Sequence, residues 1–246
     1  MGNGDRVYNT RFNEKVASGA IGYSNELLSS VLRVSLDETK VGIPEEIGIQ
    51  ETSKSITNPY QKLNTGIISL NTTFFLGKSK LTSVFGYTQN NRKEFEDHHE
   101  HEDHDEEMEE ESDEAAMYTR LKTATYDLKW YLPSEGKFES IIGLQGMLQD
   151  NQNYGEEILI PNATTKDIGL YMTHFYQWKN NSLQGGLRVD SRKLISEAYQ
   201  DEHDGEIHEI AALDKSYEQL TASLGLKTQL AGKITTRLNI ASGFRA

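Results

Sequence analysis

From Thr123 to Leu132 the chain alternates between two kinds of side chain. Ala124, Tyr126, Leu128, Trp130 and Leu132 take the even positions; Thr123, Thr125, Asp127 and Lys129 take the odd ones, with Tyr131 as their one aromatic member. Successive side chains of a strand point to opposite faces, so this segment has one apolar face and one wet one. The split recurs where Leu220, Ala222, Leu224, Leu226 and Leu230 oppose Gln219, Thr221, Ser223 and Lys227. It recurs again where Ile234, Leu238, Ile240 and Phe244 oppose Thr235, Arg237, Asn239 and Arg245. Between Leu183 and Arg192, the residues Leu183, Leu187 and Val189 oppose Gln184, Arg188, Asp190 and Arg192. Segments of about 9 to 11 residues with charge on one face suit tilted strands that cross a membrane around a watery interior.

Less regular strands are expected over Leu63–Leu76, Leu81–Lys93, Phe138–Gln149 and Ile168–Trp178, with further ones over Arg6–Phe12, Val16–Tyr23 and Leu28–Leu36. The total is about ten. Short turns rich in Gly, Asn, Ser or Pro are expected at Ser24–Leu27, Gly77–Lys80, Pro133–Lys137, Lys179–Ser182 and Ala231–Lys233. Between them fall long polar connections at Gly42–Gln61, Glu94–Ala116, Asp150–Lys166 and Tyr199–Lys215. Short on one side and long on the other is the pattern of outer-membrane barrels. Trp130, Tyr131, Tyr176 and Trp178 stand just before short turns, where an interfacial aromatic girdle would lie. The expected fold is all-β: an antiparallel transmembrane β-barrel segment of about ten strands, with short periplasmic turns and long extracellular loops. Its rival is an extracellular or periplasmic β-sandwich that sequesters metal or mediates adhesion, with the same aromatics buried.

Bulk composition permits this reading. Only 36% of residues are hydrophobic and the net charge is −13, but a barrel satisfies its backbone between strands and needs apolar side chains on one face only. No apolar run approaches the roughly 20 residues of a spanning helix. Without cysteine there is no disulfide and no thiolate site. The start, Met1-Gly2-Asn3-Gly4-Asp5, lacks the basic and apolar stretches of an export signal, so the chain reads as cytoplasmic or as incomplete. From Glu94 to Glu114 there are 14 acidic residues and no Lys or Arg, and the remainder of the chain is nearly neutral. So dense a block of like charge is expected to be a solvated loop.

Two stretches resemble a known family. Leu238-Asn239-Ile240-Ala241-Ser242-Gly243-Phe244-Arg245-Ala246 resembles a barrel strand of TonB-dependent outer-membrane receptors, in which Gly-Phe-Arg-Ala leads into a Pro-containing loop. Gly185-Gly186-Leu187-Arg188-Val189-Asp190 resembles another recurring strand of that family, with Arg and Asp toward the lumen. The resemblance implies a bacterial outer-membrane location and a 22-stranded barrel holding an N-terminal plug, with a short segment that engages TonB. On this reading residues 1–246 are a partial barrel domain without the plug and the barrel's C-terminus, and 94–116 is its acidic His-rich extracellular loop. A complete ten-stranded barrel is the alternative.

The densest chemistry lies in the segment Asp97-His98-His99-Glu100-His101-Glu102-Asp103-His104-Asp105. His98, His99, His101 and His104, with Asp97, Glu100 and Asp103, offer nitrogen and oxygen ligands to a divalent transition metal such as Zn, Cu, Ni or Fe. A second group, with His203 and His208, lies on another long connection of the same side. The bland reading of both is a solvated acidic loop with incidental histidines. His174, alone on an apolar face, is expected to be interfacial or packed. Among family members such loops resemble those of receptors for zinc or related metals, while other relatives take up iron chelates (siderophores), haem, cobalamin or carbohydrates. No phosphate loop, nucleophile elbow or His-Glu-x-x-His helix occurs, so no enzyme is expected. No cofactor is required, because the metal would be cargo or loop-bound. Expected partners are outer-membrane lipid, a metal ion or metal chelate, and the TonB complex in the full-length protein only; no basic stripe points to nucleic acid.

Overall fold

The computed structural model describes residues 7–44, 53–96, 115–134, 136–155, 157–203, 206–230 and 234–243. Ten strands make one antiparallel sheet in sequence order: β1 (Phe12–Ser24), β2 (Leu28–Gly42), β3 (Tyr60–Leu76), β4 (Ser79–Phe95), β5 (Met117–Tyr131), β6 (Phe138–Asn153), β7 (Ala163–Trp178), β8 (Asn181–Ser196), β11 (Leu213–Leu230) and β12 (Ile234–Ala241). Between β8 and β11 the chain makes a separate hairpin, β9 (Tyr199–His203) with β10 (Glu206–Ile210). The sheet is not closed, since among the described residues β1 and β12 each pair on one side only. The ten-stranded closed barrel is therefore not what this chain forms.

Local chemistry sets the short turns. Gly77 (φ 66°) and Lys179 (φ 50°) take the left-handed backbone that two-residue hairpins require. Asn25 accepts hydrogen bonds from the backbone N–H groups of Leu27 and Leu28 at 2.9 and 2.8 Å and so closes β1 onto β2.

Two expectations need correction. Residues 7–11 do not form a strand. Asn9 turns the chain at φ 49° and is almost wholly buried. Its amide nitrogen donates to the carbonyls of Ile43, Thr57 and Pro59 at 3.1, 3.0 and 2.7 Å, tying the chain's start to the connection between β2 and β3. Most strands are also longer than a membrane crossing needs, with β2 to β8 running to 15–17 residues. Their ladders continue into segments read as loop, because backbone pairing does not require an apolar side chain.

Register assigns every residue to a face. The line Ser30–Thr72–Ser83–Leu128–Leu144–Leu170–Val189–Leu220 crosses eight strands as direct partners. Tracing such lines puts Leu128, Leu187, Leu226 and Leu238 on one face and Lys129, Arg188, Asp190, Lys227 and Arg237 on the other. The first, apolar set is the face that a membrane-spanning barrel turns outward to lipid. Arg245 lies outside the described residues.

On the outward face the apolar stretch runs from the short turns up to Leu36 in β2, Ile68 in β3, Tyr87 in β4, Ala124 in β5, Leu148 in β6, Ile168 in β7, Val189 in β8 and Leu220 in β11. Within these limits no described outward residue is Asp, Glu, Lys or Arg. Just beyond them come Glu38, Lys122, Asp150, Lys166 and Glu218. The upper limit is oblique to the register: Leu36 is six positions past Ser30, whose line ends on Leu220 itself. A flat apolar layer cutting the sheet this way implies strands inclined by roughly 30° and a band about 25–30 Å tall. That is the height of a bilayer's hydrocarbon.

The sheet has no dry interior. Ala115 is the one buried apolar residue among those described, while Leu170, Leu187, Leu220 and Leu238 are 56%, 60%, 62% and 70% exposed. So continuous an apolar surface does not persist in water on a soluble monomer, and among the described residues no second sheet covers it. The sandwich reading fails on this point.

Candidate functional site

The polar face carries a connected group of charges across β5 to β8. Lys129 Nζ lies 2.6 Å from Asp127 Oδ2, two residues along the same strand and therefore on the same face. The Tyr171 hydroxyl reaches the other oxygen of Asp127 at 3.4 Å. The Arg188 guanidinium stands 5.6 Å from the Tyr171 ring centroid. Its Nε donates to both carboxylate oxygens of Asp190 at 2.7 Å, and a terminal nitrogen donates to Gln145 Oε1 at 2.8 Å. Beyond it Arg192 grips Asp167 with two bonds of 2.7 Å in the fork geometry of a guanidinium–carboxylate pair. These groups are only part-buried, so each pair contributes modestly to stability, about 1 kcal/mol or less. Their larger effect is to hold a fixed pattern of donors and acceptors on the interior wall.

Glycines make the room. Gly143 is the direct cross-strand partner of Tyr171, and a Cβ on Gly143 would overlap the tyrosine ring. A Cβ on Gly169 would collide with Arg188 and Asp190. The bare backbone lets all three side chains lie along the wall instead of projecting into the lumen. Gly143→Val is expected to lower stability by about 1–3 kcal/mol through forced displacement of Tyr171. Gly185→Ala, where a Cβ meets nothing within 4 Å, is the control and should be near neutral. Urea midpoints of the two variants check this, and equal midpoints would show that Tyr171 is free to move.

Two shallow recesses flank Arg188. One, of about 290 Å³, is lined by Asp127, Gln145, Asp167 and Gly169; the other, of about 260 Å³, by Gln145, Tyr171, Thr221 and Ser223. Both present mixed polar groups, which suits contact with a polar interior partner rather than enclosure of a small ligand.

The residues singled out as metal ligands are not brought together here. Asp97, His98, His99, Glu100, His101, Asp103 and His104 lie outside the described residues. His203 ends β9 and His208 sits in β10, where the backbone register pairs His203 with Glu206 and His208 with Asp201. His174 stands on the outward face beside the girdle, its Nδ1 2.6 Å from the Ser140 hydroxyl of the neighbouring strand. The girdle itself is stacked: Phe138 on Tyr176 at 4.5 Å and Tyr176 on Trp178 at 5.3 Å.

Sequence reasoning named Lys129, Arg188 and Asp190 as interior residues but missed Gln145, Asp167 and Tyr171, which complete the group. The available signal was Gly143 and Gly169 in strands of otherwise ordinary composition, since an interior strand glycine marks close approach by something large.

In sequence the chain matches no family model and no curated protein. In structure it is similar to the FrpB iron transporter from Neisseria meningitidis (F3-3 variant), with TM-score 0.62 and 17% identity over 93% of this chain and 37% of that one. It is similar to the ferric yersiniabactin uptake receptor FyuA from Yersinia pestis, with TM-score 0.66 and 12% identity over 89% of this chain and 36% of the other. A third likeness is to the copper transporter OprC, with TM-score 0.65 and 12% identity over 95% and 37%. The chain thus spans a little over a third of the length of the structures it matches. Its fold is that of the barrel wall of TonB-dependent outer-membrane receptors.

Proposed function

We propose that this chain forms part of the barrel of a bacterial outer-membrane receptor that takes up a metal ion or metal chelate in a TonB-dependent way. The observation that carries the reading is the two-faced wall: an uncharged outward band of bilayer height backed by a charged inner face. The similarity in fold to transporters of iron and copper and to a ferric-siderophore receptor supports a metal or chelate as cargo. In such a receptor the wall's part is binding and gating, not bond chemistry. The group around Arg188 would face whatever occupies the lumen, and in the full-length protein that is the plug. Engagement of the TonB complex likewise belongs to the full-length protein.

The finer proposal concerns the long connections. The acidic segment 94–116, whose first two residues still pair within β4, lies on the extracellular side, and His98, His99, His101 and His104 with Asp97, Glu100 and Asp103 capture a divalent transition metal before it enters. His203 and His208, on the β9–β10 hairpin of the same side, add a second point of capture.

Membrane fractionation tests the location. The chain, expressed in its full coding context, is expected in the outer-membrane fraction with heat-sensitive electrophoretic mobility, and protease added to intact cells should cut within 94–116. Recovery as a soluble protein would defeat the reading. Cleavage at the short turns instead would invert its sidedness.

A further inference from the structure

Above the apolar band, on the same outward face, the register sets lysines against one another. Lys40 pairs directly with Lys62, and Lys62 with Lys93. Like charges opposite one another across strands destabilise a sheet, and in a chain of net charge −13 this row does not follow from basic composition. Local compensation is partial. The carboxylate of Glu38 is shared between Lys15 at 3.2 Å and Lys62 at 3.4 Å. The Lys40 ammonium sits 3.5 Å from the Tyr60 ring centroid, and that of Lys93 sits 4.6 Å from the Tyr118 ring. Among the described residues neither Lys40 nor Lys93 has a carboxylate within ion-pair distance.

A groove of about 540 Å³ lies directly below this row, at the top of the apolar band. Its lower outward wall is apolar, with Leu36, Gly66, Ile68 and Tyr87, and its upper end, nearer the lysines, is polar, with Glu38, Asn64 and Asn91. Gly66 leaves the floor open: a Cβ there would meet only Leu36 Cδ2, at 3.6 Å. The groove is continuous with the face that meets lipid and ends two residues short of Lys40, Lys62 and Lys93 along their strands. A slot that leads from the bilayer, apolar below and polar above, to three lysines of which only Lys62 has a share in a carboxylate fits an amphiphile with an acyl chain and a phosphate. A free anion would have no use for the slot, and a soluble apolar ligand none for the lysines.

The geometry points to a lipid site on the outside of the barrel: a phosphorylated lipid of the outer leaflet seats an acyl chain in the groove across β1 to β4 and its phosphate on Lys40, Lys62 and Lys93. This rests on the outer-membrane reading above, with the long connections outside. Charge and groove act together, because the phosphate relieves repulsion that the sheet would otherwise carry.

The test uses protein extracted folded from outer membranes in mild detergent, stripped of lipid, and probed by native mass spectrometry with bis-phosphorylated lipid A. Binding of one lipid is expected. The triple variant Lys40→Gln, Lys62→Gln, Lys93→Gln should bind roughly a hundredfold more weakly, about a factor of five per lysine. Gly66→Leu, which fills the slot and keeps every charge, should also weaken binding. Heat-sensitive mobility reports folding separately, so a protein absent from the outer membrane counts against the location, not against this site. Undiminished binding by either folded variant overturns the site. So does equal binding of dephosphorylated lipid A, or displacement of the lipid by millimolar inorganic phosphate alone.

Discussion

Replacing His98, His99, His101 and His104 together by Ala is expected to weaken zinc binding at near-neutral pH by roughly a hundredfold or more. Transition-metal sites built on imidazole derive most of their affinity from those nitrogens, and a loss of about 3 kcal/mol over four ligands is a conservative figure for a solvated loop. The pH dependence follows from the ligand's chemistry. Imidazole binds metal only when neutral, and its unperturbed pKa is about 6.5, so affinity is full above that value and falls as pH drops toward about 5.5. A loop acting through its 14 carboxylates would behave otherwise. With reference pKa values near 4 those groups stay charged at that pH, and they favour hard ions such as calcium through oxygen ligands. Calorimetric titration with zinc and with calcium, for parent and variant, separates the two. Calcium binding should be unchanged by the substitution. If zinc affinity were unchanged too, the imidazoles would be bystanders and metal capture would lose its chemical basis, although the wall and its fold would stand.

Leu224→Arg is expected to destabilise the folded barrel by about 2–4 kcal/mol, whereas Ser223→Arg, one residue earlier, should change it by no more than about 1 kcal/mol. Leu224 is outward, 52% exposed and near the middle of the band on β11. An arginine there must reach through hydrocarbon to the interface or draw water in. Ser223 is also exposed but lies on the face shared by Lys227, Arg188 and Asp190, where water is already present. Both positions are exposed in the sheet itself, so a difference between them requires lipid against the apolar face. Urea titration in lipid vesicles, read by the folded and unfolded electrophoretic forms, measures the difference. Equal and small effects would mean that the apolar face does not meet lipid.

Much of the wall could be read from the residues because period-two alternation is a local signal. A strand at Thr123–Leu132 declares its faces whatever its neighbours are, and the uncharged outward limits at Ala124, Ile168 and Leu220 are visible once the alternation is followed. What alternation does not carry is where pairing stops. The ladders of β3 to β8 run on into Lys62, Glu94, Arg120, Gln152 and Lys193, since backbone groups pair regardless of side-chain polarity. Asn9 escaped for a related reason: its role depends on carbonyls 34, 48 and 50 residues away.

By itself, then, the sequence determined a two-faced antiparallel wall, its short-turn and long-loop ends, and the interior placement of Lys129, Arg188, Asp190, Lys227 and Arg237, because each of these is written within one strand or one turn. Only the tertiary structure decided which residues stand side by side. Register brings Tyr171 between Asp127 and Arg188 over the bare backbone of Gly143, and the same register lines up Lys40, Lys62 and Lys93. The physical reason is that cross-strand partners lie tens of residues apart in the chain, and their alignment is set by the summed hydrogen bonding and turn geometry of the sheet, which no single segment encodes.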